Sequence, residues 1–197
     1  MLNIITPVSR PQFLEIIYHS IASTIQMPWK WYTIIDSVIV KDIITPFSKN
    51  HIVEYCDKKV NNFTDWGNSC RNMGLDLIKD GWIYNLDDDN ILHPNFNNAM
   101  VKALSYYPQL IGYTFIQEFP NKKIRSVPFQ HQIQHLDTAA FVFRRDAIDD
   151  LRFDPTIRLC DKQFYNDMYN KYWLYIAHIS EIAAYYDFFK IRPEVLD

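Results

Sequence analysis

The chain has 197 residues, a formal net charge of −3 at pH 7 and an aromatic content of 16%. This length suits one domain, and the weakly acidic balance excludes the broad basic surface with which proteins bind nucleic acid. The basic cluster Lys122, Lys123 and Arg125 is too short to change this expectation, and it is interpreted as a solvated loop.

The predicted elements of the first half alternate between strands and helices. Apolar runs and alternating patterns indicate the strands, and apolar residues spaced three and four apart indicate the helices. In chain order they are a strand over 2–6 that Pro7 stops, a helix that opens near Pro11, strands over 31–35 and 51–55, a helix over 68–79, a strand over 82–86 and a helix over 96–107.

The second half has a different pattern, with extended segments over 110–117 and 139–143, a helix over 162–172 and an apolar stretch over 173–179. We therefore predict a single α/β domain, Rossmann-like, with a mostly parallel central sheet flanked by helices and a mixed C-terminal half. In such folds ligands bind at the carboxyl ends of the strands. Asp36 and the run Asp87, Asp88 and Asp89 fall at such ends.

The cysteines and the N-terminus indicate the cellular compartment. The three cysteines are odd in number and lie among apolar neighbours, which is typical of reduced core thiols and not of a disulfide framework or a zinc site. The first residues lack the basic and then apolar pattern of a secretion signal, and no apolar run reaches 18 residues. We expect a cytoplasmic protein without a membrane span, which could be one module of a larger chain.

Three consecutive aspartates follow the strand predicted over 82–86. Because side chains alternate along an extended chain, Asp87 and Asp89 are expected on one face and Asp88 on the other. Two carboxylates at a strand end form a partial oxygen shell for Mg²⁺ or Mn²⁺, and water and substrate phosphates supply the other ligands. The alternative is a polar turn in which Asp and Asn side chains accept hydrogen bonds from backbone N–H groups.

The sequence GNSCRNMG, just upstream, is predicted to open a helix. Asn68, Arg71 and Asn72 would share one face of it, while Cys70 and Leu77 would turn towards the core. The planar guanidinium of Arg71 suits a phosphate or a base edge. The alternative is an ordinary capped helix with a surface arginine.

The order of these motifs resembles that of the GT-A glycosyltransferases, in particular the family 2 type, and is similar to the small enzymes of large algal viruses. The pattern is a strand followed by TPVSRP, a strand ending in Asp36, the GNSCRNMG helix start and a strand followed by LDDDN. It covers about residues 2–100, roughly half of the chain, and the order is more specific than any single motif.

The resemblance implies a nucleotide-sugar-binding half over 1–100 and an acceptor-binding half over 101–197. The donor nucleotide would be held by the loop after the first strand, the aspartate after the second, the helix start and the aspartate run. The residues concerned are Thr6, Pro7, Val8, Arg10, Asp36, Gly67, Asn68, Arg71, Asp87 and Asp88. Asp89, together with Asp87, would hold Mn²⁺ or Mg²⁺, and the ion would neutralise the charge that develops on the leaving diphosphate.

An inverting enzyme also needs a general base for the acceptor hydroxyl. Asp161 is the first candidate, because it lies where the family shows an acidic pair at a helix start, although its acidic neighbour is missing here. An N-cap is its alternative role. Asp137 is the second candidate, and its alternative is a capping turn with Thr138.

The histidines also allow two interpretations. His178 lies alone in an apolar stretch, which is typical of a core imidazole, yet several GT-A enzymes use a C-terminal histidine at the metal or diphosphate. His131 and His135 are interpreted as polar residues of an acceptor loop, because their spacing makes a metal pair only on a helix.

These observations predict a metal-dependent, inverting glycosyltransferase. Its donor would be a UDP-sugar, with UDP-glucose as the first candidate, and its acceptor a hydroxyl of a glycan or glycoprotein. One alternative is a nucleotidyltransferase that makes a nucleotide sugar, although TPVSRP lacks the Gly- and Lys-rich phosphate loop usual in such enzymes. The other is a non-catalytic carbohydrate-binding domain in which DDDN is a turn.

Overall fold

The structure is a computed structural model, which describes residues 1–41, 43–57, 65, 67–106, 112–119, 121, 123–125, 137–148, 150–156, 160–172 and 175–191. The strands in these ranges are β1 Leu2–Val8, β2 Trp29–Asp36, β3 His51–Cys56, β4 Trp82–Asn85, β5 Ile91–Leu92, β6 Gly112–Glu118, β7 Ile124–Arg125, β8 Phe141–Arg144 and β9 Ile176–Tyr185. The helices are α1 Leu14–Thr24, α2 Asn68–Leu77, α3 Phe96–Tyr106, α4 Cys160–Tyr172 and α5 Phe188–Ile191.

The strands form one mixed sheet in the order β3-β2-β1-β4-β8-β6-β9-β5, and β7 extends it by pairing with β6. Strands β3, β2, β1 and β4 run parallel. Strand β8 lies antiparallel to both β4 and β6, β9 is parallel to β6, and β5 is antiparallel to β9. The predicted α/β class, with a parallel first half and a mixed second half, is confirmed.

Helices cover both faces of the sheet. On one face Ile17 and Ile21 of α1 and Met100 of α3 pack into a core cluster with β1. On the other face Leu75 of α2 and Met168 of α4 belong to a second cluster. Within the described ranges, no helix combines the length and the apolar character that crossing a membrane requires.

Strand β1 continues through Pro7 to Val8, so the prediction that Pro7 stops it is wrong. The carbonyl of Ile5 accepts a hydrogen bond from the N–H of Leu86, just after β4 ends. Pro7 lies two residues further on, so its backbone nitrogen points to the same side of β1, beyond the last residue that pairs with β4. Because no donor is needed there, proline fits the strand without losing a ladder bond.

The prediction that Leu77 faces the core is also wrong, because its side chain is exposed. Helix α2 packs on β1 through Gly74, where an added Cβ would lie 2.7 Å from Cγ2 of Ile5. Leu75 is fully buried, and a residue two positions further on lies about 200° around the helix. Leu77 therefore points away from the sheet.

Gly67 fixes the approach of α2 to the end of β1. Its φ is +82°, and an added Cβ would lie 2.8 Å from Cβ of Pro7. We expect Gly67→Ala to lower the free energy of unfolding by about 1–3 kcal/mol, because alanine would be strained in this backbone conformation. Urea denaturation measures this, with Gly112→Ala as the control, since a Cβ at Gly112 meets its nearest neighbour at 3.4 Å. Equal stability of Gly67→Ala and the wild type would show that the close approach is not required.

Candidate functional site

The three aspartates lie in a turn at the carboxyl end of β4. The turn is closed by a hydrogen bond of 3.0 Å from the N–H of Asn90 to the carbonyl of Asp87. The chain is not extended here, so the predicted alternation, with Asp87 and Asp89 on one face, is wrong. Arg10 contacts both Asp88 and Asp89, whereas Asp87 contacts Arg71.

The carboxylate of Asp88 joins this turn to the loop that follows β1. Its Oδ2 accepts hydrogen bonds from the backbone N–H groups of Ser9 at 2.7 Å and Arg10 at 2.8 Å, and from the Ser9 hydroxyl at 3.0 Å. Its Oδ1 accepts from Nε of Arg10 at 2.9 Å and from Nη2 of the same guanidinium. Both oxygens of Asp88 are therefore engaged within the protein, and a ribose hydroxyl would have to replace one of these donors.

Arg71 is buried at the start of α2 and connects three parts of the fold. Its Nη2 donates to Oδ1 of Asp87 at 2.5 Å, and its Nη1 donates to Oδ1 of Asn68 at 3.0 Å. The same Nη1 lies 3.9 Å from Oδ1 of Asp161 in α4, and the guanidinium lies over the ring of Phe153. The structure thus brings the α2 start next to the aspartate turn, as the sequence predicts.

Asp161 is the second residue of α4, so it lies in the first turn of the helix and not at the capping position. A carboxylate at a helix N-terminus is favoured by the helix dipole. Its side chain is 26% exposed, whereas Asp137 is buried. Asp161 is therefore accessible from solvent, whereas Asp137 is not.

Asp137 has the structural role that the sequence left as its alternative. Its Oδ1 accepts from the N–H of Ala139 at 2.9 Å and from Nε2 of Gln117 at 2.8 Å. Burial raises the pKa of Asp137 to about 8, and Asp87 and Asp161 nearby add to the rise. Because burial favours the protonated form of Asp137, Asp161 is the better candidate for a general base.

Carboxylates lie close to one another around the turn. Asp87 lies near both Asp89 and Asp161, Arg71 contacts Asp87 and Asp161, and Arg10 contacts Asp89. Burial raises the pKa of Asp87 to about 6, the guanidinium of Arg71 opposes the rise, and Asp161 and Asp89 add to it. A divalent cation would relieve the repulsion between these carboxylates.

The donor chemistry of the turn fits Mg²⁺ or Mn²⁺ as a partial shell. Asp87 and Asp89 offer hard carboxylate oxygens, and these ions accept water and phosphate oxygens as their remaining ligands. No group of three His, Cys, Asp or Glu side chains in the described part of the chain forms a complete metal site. The protein would supply a minority of the ligands, and a diphosphate would supply others.

Comparison with known proteins identifies the fold. No protein-family model and no curated protein matches the sequence. S. aureus TarS 1-349 in complex with UDP matches with a TM-score of 0.67 at 14% identity, over 96% of this chain and 62% of that chain. Glucosyl-3-phosphoglycerate synthase from Mycobacterium tuberculosis, in complex with Mn²⁺, UDP and phosphoglyceric acid, matches with a TM-score of 0.63 at 11% identity, over 94% of this chain and 70% of that chain. The chain has the fold of the GT-A glycosyltransferases.

A third match is S. aureus TarS 1-349 in complex with UDP-GlcNAc, with a TM-score of 0.62 at 13% identity, over 94% of this chain and 58% of that chain. This chain covers between 38% and 64% of the TarS chains that it matches. The GT-A fold therefore accounts for nearly all of this chain but for only part of TarS.

In the GT-A fold of this chain, Asp36 ends β2 beside the carboxyl end of β1. Its Oδ1 accepts hydrogen bonds from the N–H groups of Val38 at 3.0 Å and Ile39 at 3.3 Å. Thr6 and Val8 are buried, and the Thr6 hydroxyl accepts a hydrogen bond from Trp31 at 2.8 Å. The side chains of Thr6 and Val8 thus pack in the core, and their role in donor binding stays a prediction.

The remaining predicted residues of the GT-A site lie in several environments. The Asn68 side chain also donates to the carbonyl of Asp154, 3.3 Å away. His178 lies on β9, where its Nδ1 is 3.0 Å from the Thr114 hydroxyl, and burial lowers its pKa. A metal role for His178 stays a prediction. His131 and His135 lie outside the described residues.

Sequence reasoning missed two residues of the candidate site, Ser9 and Thr138. Ser9 holds Asp88 through its N–H and its hydroxyl, and the Thr138 hydroxyl donates to Oδ1 of Asp87 at 3.4 Å. A polar residue directly after a buried strand, as in TPVSRP, was the signal available for Ser9. For Thr138, the only signal in the sequence was its position beside Asp137.

The buried carboxyl group of Asp137 should make stability depend on pH. Because its pKa is about 8 in the fold against an ordinary value of 3.8, the wild type should lose stability as the pH rises between these values. Asp137→Asn keeps an oxygen for Ala139 and Gln117 but cannot ionise. We expect it to become progressively more stable than the wild type from pH 4 to about 8, with a constant difference above that.

Urea denaturation in metal-free buffer at several pH values checks this expectation for Asp137. Asp146→Asn is the matched control, because Asp146 is exposed and its pKa is lowered by the Arg144 side chain. A difference between Asp137→Asn and the wild type that did not change with pH would contradict the expectation.

Proposed function

We propose that this protein is a metal-dependent glycosyltransferase that transfers a sugar from a UDP-sugar to a hydroxyl group of a glycan or glycoprotein. UDP-glucose is the first candidate donor. The observation that carries the proposal is the position of the aspartate turn, Arg71 and Asp161, which lie together beyond the carboxyl end of β4 in a GT-A fold. Proteins with the same fold bind UDP, UDP-GlcNAc and Mn²⁺, which supports this donor class.

The residues of the turn would bind the donor. Asp89 and Asp87 would hold Mn²⁺ or Mg²⁺, which when bound would offset the charge of the departing diphosphate. Arg71 holds the Asp87 carboxylate through a partly buried hydrogen bond of 2.5 Å, so this carboxylate would be in place before the donor arrives. Asp36, at the end of β2, would hold the base or the ribose.

Asp161 would act on the acceptor. Its carboxylate would take the proton of the attacking hydroxyl as the bond to the sugar forms, and the sugar would be transferred with inversion. Arg71, 3.9 Å away, limits the directions that the Asp161 carboxylate can take. The first turn of α4 thus supplies the base, and the β4 turn supplies the leaving-group site.

Binding and hydrolysis of nucleotide sugars test the proposal. UDP-, GDP- and dTDP-sugars would each be added to the protein with and without Mn²⁺, and thermal shift and release of the nucleoside diphosphate would be measured. We expect a shift with a UDP-sugar that requires Mn²⁺ and is lost in Asp89→Asn but retained in Asp80→Asn, an exposed aspartate before β4. Failure of every donor to bind a folded protein would contradict the proposal, and release of pyrophosphate from an NTP and a sugar phosphate would indicate a nucleotidyltransferase.

A further inference from the structure

The guanidinium of Arg10 spans two of the three aspartates. Its Nε and Nη2 donate to Oδ1 of Asp88, and its Nη1 donates to Oδ2 of Asp89 at 3.1 Å. The Asp89 side chain is only 10% exposed, and that of Arg10 is 34% exposed. A cation that belongs to the chain therefore already contacts the carboxylate to which the proposed function assigns the metal.

A guanidinium and a divalent cation cannot both bind the Asp89 carboxylate without cost. A bound Mg²⁺ lies about 2 Å from its oxygen ligands, so it would lie only a few ångströms from Nη1 of Arg10. At such separations, in a site largely shielded from water, the repulsion between the two positive groups is strong.

We propose that Arg10 is an intramolecular counter-ion that competes with a divalent cation for Asp89. This inference rests on the metal dependence in the proposed function. The cation binds when Nη1 of Arg10 releases Oδ2 of Asp89, and Arg10 takes that oxygen again when the cation leaves. Arg10 thus lowers the affinity of Asp89 for the metal.

Asp88 allows this exchange to occur without disrupting the loop. Three donors that are not the guanidinium hold Oδ2 of Asp88, namely the N–H groups of Ser9 and Arg10 and the Ser9 hydroxyl. Nε and Nη2 of Arg10 hold Oδ1. When the contact of Nη1 with Asp89 breaks, Nε and Nη2 can keep their hydrogen bonds to Asp88. A diphosphate oxygen is the anion that would then suit Nη1, because guanidinium groups bind phosphate well.

Mn²⁺ binding without nucleotide tests the inference, measured as the loss of the free-ion signal in electron paramagnetic resonance. Removing one hydrogen bond to a charged group changes a binding constant by about tenfold. We therefore expect Arg10→Gln to bind Mn²⁺ about tenfold more tightly than the wild type. Arg10→Lys should also bind more tightly, because one ammonium cannot span both carboxylates.

Two variants control for other causes. Arg144→Gln also removes one positive charge, from an exposed pair with Asp146, and it should leave the Mn²⁺ affinity unchanged. Asp89→Asn should remove the Mn²⁺ site in both the wild-type and the Arg10→Gln background. Thermal denaturation shows which variants fold. If Arg10→Gln does not fold, the Mn²⁺ affinity of Arg10→Lys tests the inference instead.

The outcomes separate this inference from the proposed function. If the wild type binds Mn²⁺ through Asp89 and neither Arg10 variant binds it more tightly, competition is refuted and the proposed function stands. If Arg144→Gln tightens binding as much as Arg10→Gln, the effect is one of net charge and competition is again refuted. If neither the wild type nor Arg10→Gln binds Mn²⁺ while UDP binds without metal, both the inference and the metal dependence are wrong.

Discussion

Asp161→Asn is expected to lower kcat by about 10²- to 10⁴-fold, the usual contribution of a general base. The amide has nearly the same shape as the carboxylate but cannot take a proton from the acceptor. Donor binding should be retained, because the aspartate turn and Arg71 keep their direct contacts. Steady-state rates with saturating donor and acceptor, together with calorimetric binding of UDP and Mn²⁺, measure the two effects separately.

Asp167→Asn is the matched control for Asp161, since it changes an exposed aspartate on the same helix. The base assignment would be refuted if Asp161→Asn transferred sugar at the wild-type rate. If it lost donor binding and rate together, Asp161 would belong to the donor site and not to the acceptor site.

Asp89→Asn is expected to abolish Mn²⁺-dependent donor binding and to reduce the transfer rate by about 10³-fold or more. Metal stabilisation of a leaving group amounts to several kcal/mol, and each 1.36 kcal/mol corresponds to tenfold in rate. Titration of UDP with and without Mn²⁺ measures the loss of metal dependence. The matched control is Asp80→Asn, which changes an exposed aspartate just before the first residue of β4.

A donor affinity of Asp89→Asn that still rose with Mn²⁺ would place the metal on other residues. Asp87→Asn would then be the next variant to measure. Because Asp87 is held by Arg71 and approached by Thr138, its substitution also disturbs these two contacts.

The order of strands and helices could be predicted because apolar periodicity is a local property of the sequence. The parallel arrangement of β1, β2 and β4 followed from the alternation of strands and helices. The insertion of β8 between β4 and β6 could not be predicted, because antiparallel pairing across the sheet leaves no local pattern. The segment predicted to be extended from residue 139 begins instead with a short 3₁₀ turn, which Asp137 caps.

The sequence predicted which residues lie at this edge of the sheet. It did not predict which of their side chains contact each other. The strand-end positions of Asp36 and the aspartate run placed them at the correct edge. Nothing in TPVSRP indicated that Arg10 contacts Asp88 and Asp89. These two ion pairs form only when β1 and β4 lie side by side. The turn geometry likewise depends on contacts from other elements, so the alternation rule for strands failed there.

The contacts between the β1 loop and Asp88 also bear on how the protein folds. The N–H groups of Ser9 and Arg10 lie 79 and 78 positions from their acceptor in the sequence. Joining such distant segments costs chain entropy that only an assembled β1–β4 pair can offset. We therefore expect the aspartate turn to take its final geometry after these strands dock, and hydrogen exchange of the Ser9 and Arg10 amides would test this order.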